Sequence, residues 1–235
     1  IGTTPIMREH KINTEALREI NADIQKHSPH PSLVNIVAVT KTFNHTAILS
    51  AKKNSLPCIG ENKVQEFLSK KEECSKVDLN IETHLIGHLQ SNKTNKAVGV
   101  FNVIQTVDSL KIANKINAKA QEKNIQQKIF IQINIGKDPN KHGFMLDRVY
   151  HDIENITKLP NLKVVGLMTI LPFNSDVTTT QPLFAAMKQT QNQVLQKINP
   201  DCRFLSMGMS RDYIYALKEG ATHLRIGTKL YGQRT

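Results

Sequence analysis

Short apolar, β-branched runs recur along the whole chain, each followed by a polar turn and then by a stretch with helical spacing. The runs are NIVAVT (35–40), PCIG (57–60), THLIGH (83–88), FNVIQTV (101–107), KIFIQINI (128–135), KVVGLMTI (163–170), FLSMG (204–208) and HLRIG (223–227). Near-continuous apolar runs of this length suit strands covered on both faces, as in parallel sheets. Between them apolar positions fall three and four apart: Leu110, Ala113, Ile116 and Ala120 share one face of 109–122 with Asn117. After Thr180 the face is Leu183, Ala186, Met187, Thr190, Val194, Leu195 and Ile198, with Pro182 in the first turn and Pro200 past the end. One more helix, about 14–26, precedes the first strand. Eight strands alternating with helices leave a closed barrel or a doubly wound sheet. The strand count, and the lack of a GxGxxG opening the first helix, favour an α/β fold: a single (β/α)8 TIM-type barrel over residues 1–235 with an extra N-terminal helix.

Composition narrows the picture. With no Trp and 5% aromatic residues, the core must be built mainly from Ile, Leu, Val, Ala and Met. Lys and Arg number 31 against 20 Asp and Glu, a formal charge of +11. Such a surplus attracts nucleic acid or phosphorylated ligands. The lysines are scattered, however, and no Arg-rich tract or aromatic platform accompanies them, so a solvated surface is expected and nucleic acid is not. Cys58, Cys74 and Cys202 are widely spaced and form no CxxC pair, which reads as free thiols in a reducing compartment. No apolar leader and no run near 18 apolar residues is present, so a cytoplasmic protein without membrane association is expected. Walker A, HExxH and GxSxG motifs are missing; His84 and His88 flank a strand, and no metal site is expected from them.

In a barrel of this kind the chemistry gathers at the carboxyl ends of the strands. Those positions hold Lys41, Glu61, Asn62, His88, Asp108, Asn134, Thr169, the stretch Ser206 to Ser210, and Arg225 to Thr228. A lysine directly after VAVT points into the mouth, where loss of hydration lowers its basicity. A neutral amine there is a nucleophile for aldehydes, the requirement for a Schiff-base lysine. Position alone favours the commoner case, a strand-end lysine reaching out to solvent. SMGMSRD (206–212) leads through Gly208 into a helix expected to begin near Ser210, whose free N–H groups and hydroxyl form an anion site. RIGT (225–228) sets Gly227 and Thr228 beside it. Either feature alone is ordinary capping; together with Arg225 and Lys41 they point to a phosphorylated ligand opposite Lys41.

These residues resemble the pyridoxal 5′-phosphate (PLP) homeostasis protein family, the YggS/PROSC family. The resemblance runs from about residue 33 to the C-terminus. It is carried by VAVTK (37–41), GENKVQE (60–66), HLIGHLQSNK (84–93), VDS (107–109), QIN (132–134), KHGF (141–144), GLMTI (166–170), SMGMSRD (206–212) and the closing RIGTKLYGQR. The family is similar to the barrel domain of alanine racemase. The resemblance implies PLP bound covalently as a Schiff base on Lys41, phosphate contacts from Ser210, Gly227 and Thr228, and Arg225 facing the pyridine nitrogen. It places Asn62, Met209 and the 206–208 turn, Ser206 included, around the ring. It further implies a carrier or regulator in vitamin B6 homeostasis, with no catalytic residue, PLP-dependent apo-enzymes as recipients, and a monomer or dimer. Thr83 and Leu85 depart from the aromatic residues usual in the third motif, a matter of strand packing. The alternative is a weak PLP-dependent amino-acid racemase. Such an enzyme takes its opposite-face acid/base from a second domain and a partner's tyrosine, and a chain ending at YGQRT leaves no room for that domain. Tyr150, Tyr213, Tyr215 and Tyr231 all lie in or next to helical segments. An always-charged Arg225 at the ring nitrogen also disfavours its protonation and weakens the electron sink.

Overall fold

The eight apolar runs become eight parallel strands: β1 (Asn35–Val39), β2 (Cys58–Glu61), β3 (Glu82–Leu85), β4 (Val103–Val107), β5 (Gln127–Gln132), β6 (Leu162–Met168), β7 (Phe204–Met209) and β8 (His223–Ile226). In the computed structural model, which describes residue 2 and residues 7–173 and 175–234, they close in sequence order into one barrel. Closure is made by β8 on β1, with Ile36 opposite Leu224 and Ala38 opposite Ile226. The helices are α1 (Thr14–His27), α2 (Thr46–Lys53), α3 (Val64–Glu73), α4 (Thr94–Ala97), α5 (Leu110–Glu122), α6 (Val149–Thr157), α7 (Val177–Lys197), α8 (Tyr213–Lys218) and α9 (Thr228–Tyr231). Among the described residues, no helix is long and apolar enough to cross a membrane.

Local chemistry sets the helix ends. The Ser109 hydroxyl accepts from the Ile112 N–H at 3.2 Å and starts α5, which then buries Ile112, Ala113, Ile116 and Ala120. α7 starts earlier than Pro182 suggests. Asp176 accepts the Thr179 N–H at 3.0 Å and both nearby threonine hydroxyls, so capping fixes Val177 as the first residue and leaves Pro182 inside the helix. The expected N-terminal helix is α1; it buries Ile20 and Ile24, and the Asn13 N–H reaches the Leu230 carbonyl at 2.8 Å, tying it to the C-terminal end of the chain.

Most buried side chains pack between strands and helices, and they are chiefly aliphatic. A second cluster of Val103, Phe130, Val165 and Met168, with Ile170 and Phe204 against it, fills part of the barrel interior. Successive strand residues point in and out, so both faces are buried and neither can be polar without a partner. The strands end slightly short of the apolar runs. β3 stops at Leu85, although the Ile86 N–H still reaches the Glu61 carbonyl at 2.9 Å. Just beyond, a Cβ on Gly87 would stand 2.4 Å from the Asn62 carbonyl oxygen, which is backbone and cannot swing aside. Glycine is therefore required for the ends of β2 and β3 to meet. Gly87→Ala is expected to lower stability by about 1–3 kcal/mol, the usual penalty for overpacking; an unchanged midpoint in urea unfolding would disprove the close approach.

Candidate functional site

The mouth of the barrel is built from β1 outward. The buried run of β1 ends at Thr40, whose N–H bonds the Gly60 carbonyl at 3.0 Å. Lys41 follows in a turn, half-buried. Thr42 adopts φ +66°, a conformation costing a β-branched residue of order 1–3 kcal/mol, and its N–H is held by Glu66 Oε1 at 2.6 Å. Burial lowers the basicity of the Lys41 amine first, then the positive charges of Arg234 and Arg225, with Glu66 opposing.

Arg234 had no role in the sequence reading. Its Nε donates to the Lys41 carbonyl at 3.1 Å and its Nη2 to the Val39 carbonyl at 2.9 Å, while the guanidinium lies 4.7 Å over the Phe43 ring. A Cβ on Gly227 would sit 2.7 Å from Arg234 Nη2, so this glycine is what lets the guanidinium in. The residue stood in plain view in the closing motif, but no spacing rule says that a side chain beyond the last helix folds back onto β1.

Below the mouth, on the β2 side, lies a buried ion pair. Glu61 Oε1 accepts from Lys70 Nζ at 2.6 Å and from the Thr40 hydroxyl at 2.9 Å; the same Nζ donates to the Thr40 carbonyl at 2.8 Å. Burial raises the Glu61 pKa, and Lys70 works against that rise. Among the described residues Glu61 Oε2 has no hydrogen-bond partner.

Arg225, in β8, is 4% exposed. Its Nη1 donates to the Ser206 hydroxyl at 2.7 Å and its Nη2 to the Thr169 carbonyl at 2.8 Å. Burial pulls its pKa down to about 10, which leaves it charged at neutral pH. Ser206 belongs to β7, which continues to Met209, so 206–208 is strand and not a turn. Its hydroxyl is spent on Arg225 and, at 2.6 Å, on Gln105 Oε1. Sequence reasoning passed over Gln105, although a glutamine inside the buried run FNVIQTV calls for polar partners.

The loop after β7 corrects another expectation. The helix expected near Ser210 begins at Tyr213, because the Met209 N–H closes a turn on Asp212 Oδ1 at 2.7 Å. Ser210 instead accepts the Lys229 N–H at 3.2 Å, at the start of α9. That bond brings Ser210 together with Gly227 and Thr228, as anticipated, by a different route. Thr228 and Met209 are exposed and Asn62 is half-buried at the β2 end.

His88, Asp108 and His142 form a further cluster at the mouth. Both Nδ1 atoms face Asp108 Oδ2, at 3.1 and 3.7 Å, and the three atoms lie within 4.8 Å of one another. The imidazoles are stacked at 3.6 Å with 7° between their planes. A metal is bound in the plane of each imidazole it ligates, and two parallel planes share no such point. One carboxylate holding two stacked rings is the better description.

The ion pair gives a direct test. In Lys70→Met, Glu61 loses the group that restrains its pKa and is left charged and buried, at an expected loss of about 3–5 kcal/mol at neutral pH. Because the carboxyl pKa then lies further above its unfolded value, the deficit is full above that pKa and shrinks as the pH falls through it. A deficit in urea unfolding that does not shrink toward acid would rule this out.

Over residues 12–235 the chain matches the family described as "Alanine racemase, N-terminal domain". It is 34% identical over 221 residues to the pyridoxal phosphate homeostasis protein of Aquifex aeolicus, covering 94% of this chain and 96% of that one. It superposes on PipY from Synechococcus elongatus, solved with PLP bound, with a TM-score of 0.81 and 33% identity over 93% of this chain and 99% of that one. A Clostridium difficile alanine racemase shares the fold at a TM-score of 0.70 and 18% identity, over 98% of this chain and 59% of the enzyme.

Proposed function

The chain belongs to the pyridoxal phosphate homeostasis family, and from that premise we propose that it holds PLP as a Schiff base on Lys41 and buffers or delivers it to PLP-dependent apo-enzymes. One observation carries the reading: a half-buried lysine of lowered basicity shares the mouth with two arginines and with the joined Ser210–Gly227–Thr228 segment. These groups match the parts of the cofactor in kind. The amine answers an aldehyde; the hydroxyls of Ser210 and Thr228, the close backbone at Gly227 and the charge of Arg234 answer a phosphate. Arg225 presents only donors and so suits an unprotonated ring nitrogen. Asn62 and Met209 flank the ring, and Ser206 acts on it through Arg225. PLP, once bound, supplies a carbonyl that condenses with the Lys41 amine with loss of one water, a reversible linkage.

Holding is favoured over turnover by where the tyrosines are engaged. The Tyr213 hydroxyl bonds Asp23 of α1, the Tyr231 hydroxyl the Ala47 carbonyl of α2 at 2.8 Å, and Tyr215 lies under Lys218. Tyr150 is exposed on α6. Each points to the outer helical layer, which disfavours the racemase reading. The three cysteines are buried and unpaired, in keeping with a reducing, cytoplasmic setting.

Borohydride reduction of the PLP-loaded protein followed by peptide mass mapping is expected to label Lys41; label on another lysine would reject the assignment. Ser210→Ala is expected to weaken PLP binding by about 1–2 kcal/mol, as for a hydrogen bond to a charged group, and unchanged affinity would put the phosphate elsewhere. Arg234→Gln removes a charge that lowers the Lys41 pKa, so the pH profile of imine formation should move to higher pH. A profile that stays in place or moves down would show that the arginine does not govern the amine.

A further inference from the structure

A line of four hydrogen bonds crosses the barrel interior from Arg225 at the mouth to Glu82 at the opposite end. Arg225 Nη1 donates to Ser206 Oγ at 2.7 Å, and Ser206 Oγ donates to Gln105 Oε1 at 2.6 Å. Gln105 Nε2 meets His84 Nδ1 at 2.8 Å, and His84 Nε2 meets Glu82 Oε1 at 2.7 Å. The residues come from β8, β7, β4, β3 and the first position of β3. Ser206 and Gln105 are fully buried and His84 is 1% exposed, whereas half of the Glu82 side chain is open to solvent.

The direction of the line follows from chemistry. A guanidinium can only donate, so Ser206 accepts from it and turns its proton to Gln105 Oε1. The amide then presents its NH2 to His84 Nδ1, which must be unprotonated. The remaining ring proton sits on Nε2 and is given to Glu82. Every dipole thus points from a buried cation to a carboxylate at the barrel floor. A protonated His84 cannot enter this pattern: its Nδ1–H would face the amide NH2, and turning the amide over would take away the acceptor of the Ser206 hydroxyl.

We infer that Ser206, Gln105, His84 and Glu82 are positioning residues for Arg225, and that proton uptake by His84 at the floor is transmitted along this line to the ring-binding side of the mouth. The inference rests on the PLP reading for what Arg225 contacts. Five titratable or charged groups bear on His84: Glu82 on its own strand, Cys58 on β2, Lys128 on β5, His223 on β8 with ring centroids 5.7 Å apart, and Arg225 through the line. Burial keeps His223 neutral and Cys58 a thiol, so neither competes for the proton near neutrality. A cavity of about 200 Å3 bounded by Glu82, His84 and His223 gives the proton its access. An acceptor binding Arg225 favours the ordered line, and by linkage the ordered line disfavours the proton; affinity for such an acceptor should fall as His84 protonates.

Two measurements test this. In the protein without added PLP, 15N NMR of the imidazoles near neutral pH should show His84 as the Nε2–H tautomer; an Nδ1–H tautomer would overturn the line. In PLP titrations followed by absorbance at successively lower pH, the wild type should lose about fivefold or more affinity toward acid, the lower range for coupled sites. His84→Gln should flatten that slope. Gln105→Leu should flatten it too, since it cuts the line while leaving the histidine in place. Gln105→Met, closer in shape, serves if the leucine variant does not fold. A slope retained in the folded Gln105 variant would show that His84 acts without the line and would reject the inference. A wild type that takes up no PLP would instead sink the cofactor reading, and the tautomer would still decide the direction of the line.

Discussion

Three cations, Lys41, Arg225 and Arg234, are gathered at one rim, with Glu66 the carboxylate that acts on two of them. Burial lowers the proton affinity of the Lys41 amine first, the two arginines lower it further, and Glu66 opposes them. The two guanidinium groups are held by carbonyls: those of Lys41 and Val39 for Arg234, that of Thr169 for Arg225. Carbonyl dipoles satisfy N–H groups but carry no net charge, so the positive potential stays in the opening. The buried carboxylate of Glu61 is bound to Lys70. An opening with this positive potential suits the phosphorylated aldehyde proposed for it.

Keeping such a rim in place demands rigid strand ends. The parallel barrel provides them, since each strand is hydrogen-bonded on both sides and no edge is left to fray. The rim also depends on a close backbone approach that only glycine permits, at Gly87 against Asn62, and the guanidinium of Arg234 packs directly on Gly227. Directly after the lysine, Thr42 is held at positive φ by Glu66.

The strands and their order could be read from the sequence because both faces of each are buried, which leaves long apolar runs. Their ends could not, since the last paired residue depends on the neighbour's register. Helix starts failed where a carboxylate outweighed the expected signal: Asp212 delayed α8 to Tyr213, and Asp176 brought α7 forward of Pro182. Lys41 and Arg225 were legible because strand count alone assigns them to the mouth. Arg234 was not, because its partners lie 193 and 195 residues away and no periodic pattern links them. Gln105 and His84 left a signal that went unused: polar side chains in buried strands must find partners, and here the partners are each other.

The protein then holds two buried polar systems of different kinds. Glu61 and Lys70 meet at 2.6 Å, with Glu66 on the same amine at 3.1 Å, a local group that orders the β2 side of the rim. Arg225 and Glu82 are joined only through three intervening side chains that span the barrel, so their charges are separated and the groups between them are polarised. A local pair can be lost with consequences for stability alone. A spanning line has two ends in different surroundings, one at the mouth and one open to water at the floor, and a change at either end must be felt at the other. The fold thus gives Arg225 a fixed direction at the mouth, while the far end of its line, Glu82, remains where solvent can reach it.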